Sequence, residues 1–87
     1  METLKVSAKS VTTSVAGAIA GVIRENGEVE IQAVGAGATN QAVKSIAVAK
    51  SYLAPECGIV WIPDFVKVKI NDEERTAISF VVKAVEK

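Results

Sequence analysis

The side chains able to do chemistry are few, and their absences are as informative as their presence. The chain has no histidine and one cysteine, Cys57. That removes a Ser-His or Cys-His nucleophile pair, an imidazole base and any histidine-containing or multi-thiolate metal site. The acidic residues gather as Glu28 and Glu30, two apart, and as Asp72-Glu73-Glu74. The first pair suits the wet face of a strand, and the second suits a turn. Neither nominates catalysis, so no enzyme, metal or cofactor is expected. Gly35-Ala36-Gly37 invites a phosphate-loop reading, but Asn40 stands where a dinucleotide fingerprint needs its third glycine, and no Gly-Lys-Ser/Thr follows. What remains is a strand-to-helix turn whose backbone N–H groups, with Thr39, Asn40 and Gln41, can hold a phosphate.

Cations complete this pattern. Ten basic and ten acidic residues cancel, so no long-range field steers the chain toward a polyanion. The charges are nonetheless segregated, because no acid falls between Glu30 and Glu56 while Lys44 and Lys50 do. Lys9 and Ser10 open a hydroxyl-rich loop, Ser10 to Ser14. Lys67 and Lys69 share one strand face, with Arg75 past the following turn. A hydroxyl-rich loop, a helix N-terminus and a basic arm can all contact phosphates without reading base sequence. The candidate nucleic-acid-binding set is therefore Lys9, Ser10, Thr39, Asn40, Gln41, Lys44, Lys67, Lys69 and Arg75. Base stacking on an open sheet is disfavoured, since the wet face offers Lys5, Ser7, Glu30 and Gln32 rather than aromatics.

The elements that must position these residues are legible from periodicity. Leu4, Val6 and Ala8 alternate with Lys5, Ser7 and Lys9, which predicts a strand. Apolar residues at helical spacing from Ser14 to Asn26 predict a helix stopped by Gly27. A second strand is expected from Glu28 to about Val34, broken by Gly35 to Gly37. Thr39 or Asn40 then caps a second helix reaching about Leu53, ended by Ala54-Pro55. Ile59 to Ile62 is an apolar run, and Val66 to Ile70 alternates. Asn71 to Arg75 reads as a polar turn before a last strand around Ile78, Phe80 and Val82. Right-handed βαβ crossovers put both helices on one face of a four-stranded mixed sheet. The expected fold class is a two-layer β-α-β-α-β-β sandwich, with residues 1–87 forming a single domain of ordinary size.

The second helix carries more apolar surface than one sheet contact requires. Ala42, Ile46, Ala49 and Leu53 form its inward stripe. Val43, Ala47, Val48 and Tyr52 widen that stripe, leaving Lys44, Ser45, Lys50 and Ser51 for water. The excess predicts a homodimer or higher oligomer, with Val43, Ala47, Val48 and Tyr52 in the interface. No run of apolar residues reaches the roughly 18 needed to span a bilayer, so no membrane partner is expected. A lone cysteine and an N-terminus without a signal-peptide core point to the cytoplasm.

The opening METLKVSAKSVTTSVAGAIAGVIRENG, the central EIQAVGAGATNQAVKSIAVAKSYLAP and the late DEERTAISFVV together resemble the stage V sporulation protein S family. That resemblance covers nearly the whole chain and implies an Alba-like fold. Alba-type proteins are dimeric nucleic-acid binders that use a basic loop after the first strand and extend their last hairpins as arms. The resemblance thus implies phosphate contacts at Lys9 and Ser10, at the segment from Gly35 to Lys44, and at Lys67, Lys69 and Arg75. It also implies a cytoplasmic role in spore development or its regulation. The expected function is a small dimeric protein that binds DNA or RNA weakly, without sequence specificity, as a regulatory or architectural factor. Two alternatives accompany it. One is a protein-interaction module whose partners dock on the second helix or pair with a hairpin edge. The other is a sensor of a small phosphorylated ligand at Gly35 to Gln41.

Overall fold

A computed structural model describes residues 1–86. The element order is β1 (Thr3–Val6), α1 (Thr12–Asn26), β2 (Glu28–Ala33), α2 (Ala36–Leu53), β3 (Gly58–Ile70) and β4 (Glu73–Val85). The four strands form one sheet in the order β1-β2-β4-β3. β1 and β2 run parallel, and the other two pairings are antiparallel. Both helices pack on one face, as the strand-helix alternation predicts. Register explains the core: Ile31 stands between Leu4 and Phe80, Ala33 between Val6 and Ile78, and Val29 beside Val82. All of these point toward the helices. Val29, Ile31 and Val82 are fully buried there with Ile19, Ala42, Ala49 and Leu53. The small residues Ala16, Ala20, Ala42 and Ala49 let helix and sheet backbones approach closely.

Several boundaries differ from expectation, each for a physical reason. β1 stops at Val6, because Ser7 to Ser10 folds into a turn closed by the Ser10 N–H donating to the Ser7 carbonyl at 3.1 Å. Ala8 and Lys9 therefore leave the strand, and both are exposed. α1 begins at Thr12, so Thr12, Thr13 and Ser14 form its first turn rather than a preceding loop. Its stop is as read: Gly27 has φ +79° and donates its N–H to the Ile23 carbonyl at 2.8 Å. α2 begins one turn earlier than a Thr39 or Asn40 cap implies. Gly35, at φ +90°, occupies the cap position, and Ala36-Gly37 already lies in the first turn. Thr39 is inside the helix, donating its hydroxyl to the Gly35 carbonyl at 2.9 Å. Ser45, expected in water, is buried, because its hydroxyl donates to the Gln41 carbonyl one turn back at 2.7 Å.

The last two strands form a longer hairpin than the sequence suggests. β3 runs without interruption through Pro63-Asp64, pairing with β4 from Gly58 opposite Val85 to Ile70 opposite Glu73. The turn is only Asn71-Asp72, at φ +51° and +63°. A two-residue turn with both residues left-handed matches the twist of the strands it joins, and Asn and Asp tolerate that region. Glu73, Glu74 and Arg75 thus belong to β4. Beyond Ala33 the hairpin has no partner in β2, and it projects as an arm.

Candidate nucleic-acid interface

Because β1 and β2 are parallel and each feeds a helix, α1 and α2 both start at the same edge of the sheet, the one formed by the C-terminal ends of β1 and β2. Two hydrogen bonds tie those starts together. Gln41 Nε2 donates to the Ser10 carbonyl at 2.7 Å and lies 3.5 Å from Thr12 Oγ1. At the opposite ends, Arg24 Nε donates to both Glu56 carboxylate oxygens at 3.1 and 3.2 Å, and its Nη2 donates to the Tyr52 carbonyl at 3.2 Å. The helices therefore lie parallel, and their positive dipole ends point to one edge. Neither helix has a side-chain cap or an acidic residue in its first turn. First-turn N–H groups have no intrahelical acceptor, so this edge offers two sets of donors for an anion.

Gly37 explains how the Lys9 loop reaches that edge. A Cβ built on Gly37 would lie 3.0 Å from the Ala8 Cβ, closer than carbon atoms pack without displacement. A side chain there would have to push Ala8 aside by a few tenths of an ångström, so glycine suits the closest approach of α2 to the turn. That turn is stiff for its length: Ser10 Oγ accepts from the Ser7 N–H at 2.9 Å, and Ser7 Oγ accepts from the Lys9 N–H at 3.2 Å. Lys9 is displayed outward from it, exposed and with no salt bridge among the described residues.

The nominated residues fall into distinct groups. Lys9, Ser10, Thr39 and Gln41 meet at the shared edge, but Ser10, Thr39 and Gln41 spend side-chain groups on internal hydrogen bonds. They position the edge rather than offer free side chains to a ligand. Asn40 is exposed on the flank of α2 that faces the arm, lining a hollow with Phe65 and Thr76. Lys44 is exposed one turn farther along. On the arm, Lys67 pairs with Glu74 at 3.4 Å, both groups well exposed. Such a pair is worth at most about 1 kcal/mol and opens readily. Lys69 stands opposite that same Glu74 but has no salt bridge among the described residues. Arg75 lies opposite Val68 and so faces the other side of the hairpin.

Lys5 is a basic residue that sequence reasoning left on an unremarkable wet face. It lines a cleft with Lys69, because the twisted arm returns over the end of β1. No local pattern could have paired residues 64 positions apart; only the length and twist of the hairpin do so.

The four residues nominated for an interface divide in two. Positions five apart on a helix are separated by about 140°, so Val43 and Val48 face different directions. Val43 and Ala47 face β3, lining a surface hollow with Ile59 and Trp61. Val43 also borders the hollow that holds Phe65. Phe65 is 72% exposed and Trp61 44%. The result is a continuous apolar strip over α2 and β3. Val48 is half-buried against the core, and Tyr52 lies beside Arg24 on the α1 side.

The outer edge of β3 is less available than its face. Pro63 stands opposite Phe80 in the ladder, and a proline fits there only with its nitrogen turned away from the partner strand. Phe65 faces the same way, and its N–H donates to Asp64 Oδ1 at 2.8 Å. Two successive outward positions thus offer no donor to an added strand.

A model of the family described as Stage V sporulation protein S matches residues 2–85. Among solved structures, Alba from Thermoplasma volcanium superposes with a TM-score of 0.63, covering 98% of this chain and 100% of that one at 15% identity. At that identity the likeness is one of fold, and the fold is Alba-like.

Proposed function

The chain belongs to the Stage V sporulation protein S family, and from that premise we propose that it is a small dimeric nucleic-acid-binding protein acting through phosphate contacts. One observation carries the reading. Two uncapped helix N-termini and the exposed Lys9 turn share a single edge of the sheet. Backbone N–H groups and dipole ends aimed the same way favour an anion without regard to base sequence. Lys44 and the arm cations Lys67 and Lys69 extend the contact along a backbone, and Arg75 offers a cation on the opposite face of the arm. A regulatory or architectural role follows from binding that reads phosphates rather than bases, and the cytoplasm is where such a partner is met.

The dimer in this proposal forms through the α2–β3 strip, with Val43, Ala47, Trp61 and Phe65 at its centre. Val48 and Tyr52 lie on the other flank and contribute least. With roughly two to four phosphates neutralised per subunit, log K falls by about 0.9 per phosphate for each tenfold rise in salt. Titration of DNA and RNA duplexes at low salt is the test. Lys9→Glu weakens binding to all sequences and lowers the salt slope by about 1 for each phosphate no longer neutralised, with melting unchanged. Absence of binding to either nucleic acid, or a Lys9→Glu protein that binds like wild type, rejects the reading.

The exposed strip also favours a second reading, a protein-interaction module. Recovery of one stoichiometric protein partner after nuclease treatment, abolished by Phe65→Glu, would favour that reading over the first.

A further inference from the structure

We draw no further inference here: the strongest candidate, the apolar patch of Val60, Ile62 and Ile70 on the face of the β3–β4 hairpin turned away from the helices, is an unpartnered sheet face, and nothing in the structure shows what covers it.

Discussion

Glu30 is the most committed side chain on the open face of the sheet. Its carboxylate accepts from Ser79, Gln32 and Thr3, and these bonds, Ser79 first and Gln32 next, hold its pKa below the ordinary glutamate value. Ser79 is itself buried and depends on that carboxylate for a partner. A carboxylate whose folded pKa is depressed contributes stability that is complete above its unfolded pKa, about 4.3, and is lost as pH falls through the lower folded value. The urea midpoint should therefore drop as the pH falls below the unfolded glutamate pKa, and Glu30→Gln should flatten that drop. Glu30→Ala should cost about 1–3 kcal/mol at neutral pH, since it strands the Ser79 hydroxyl. An unchanged pH profile in Glu30→Gln would show that other carboxylates carry the acid sensitivity. At the proposed binding edge the polar side chains are likewise committed. Ser10, Thr39 and Gln41 are of the residue types that contact phosphates, yet their side chains are already engaged within the protein. Lys9, Asn40 and Lys44 remain exposed at or near it.

Between elements, the decisive contact is Gly37 against Ala8. It fixes how closely α2 approaches the turn after β1, and so where Lys9 stands relative to both helix N-termini. Gly37→Val should press the two apart and destabilise the chain, read by chemical denaturation. In an Ala8→Gly background the penalty should shrink by at least about 0.5 kcal/mol, the coupling of residues in direct contact. Purely additive effects would mean that the glycine serves some other need. Gly17 and Gly21 of α1 offer a contrast. Their spacing of one turn hints at a close backbone neighbour, but added Cβ atoms there would meet nothing within 4 Å. On the other side of the molecule, Pro63 and the Asp64–Phe65 hydrogen bond blunt the edge of β3. A partner for this hairpin is therefore directed to its face rather than to strand addition.

For the molecule as a whole, the proposed assembly rests on one strip. Val43, Ala47, Trp61 and Phe65 leave an apolar surface on α2 and β3 that no element of the same chain covers among the described residues. Sedimentation should find a dimer at micromolar concentration, and Phe65→Glu should yield a folded monomer, because Phe65 adds almost nothing to the core. A wild-type monomer would remove both the proposed dimer and the doubling of cationic edges on which the proposed phosphate binding relies. The long dimension of 42 Å against 22 and 17 Å comes with the arm that carries Lys67, Lys69 and Arg75.

Periodicity determined the elements, their order and the face each strand turns to the helices, since alternation and helical spacing are local consequences of which side meets water. Val29, Ile31 and Ala33 on one face of β2, and Gly27 ending α1, could be read directly. The lysines on the loop and arm were legible too, because charge type and strand parity are written in the chain. Tertiary structure alone decided what those residues meet. It drew Gly35 to Gly37 into a helix start, engaged Ser10, Thr39 and Gln41 internally, split Val43 and Ala47 from Val48 and Tyr52, and brought Lys69 to a cleft that Lys5 also lines. Hydrogen-bond partners and cleft walls are set by the approach of distant segments. That approach depends on backbone twist and side-chain volume summed over the whole sheet, quantities no short window of sequence contains.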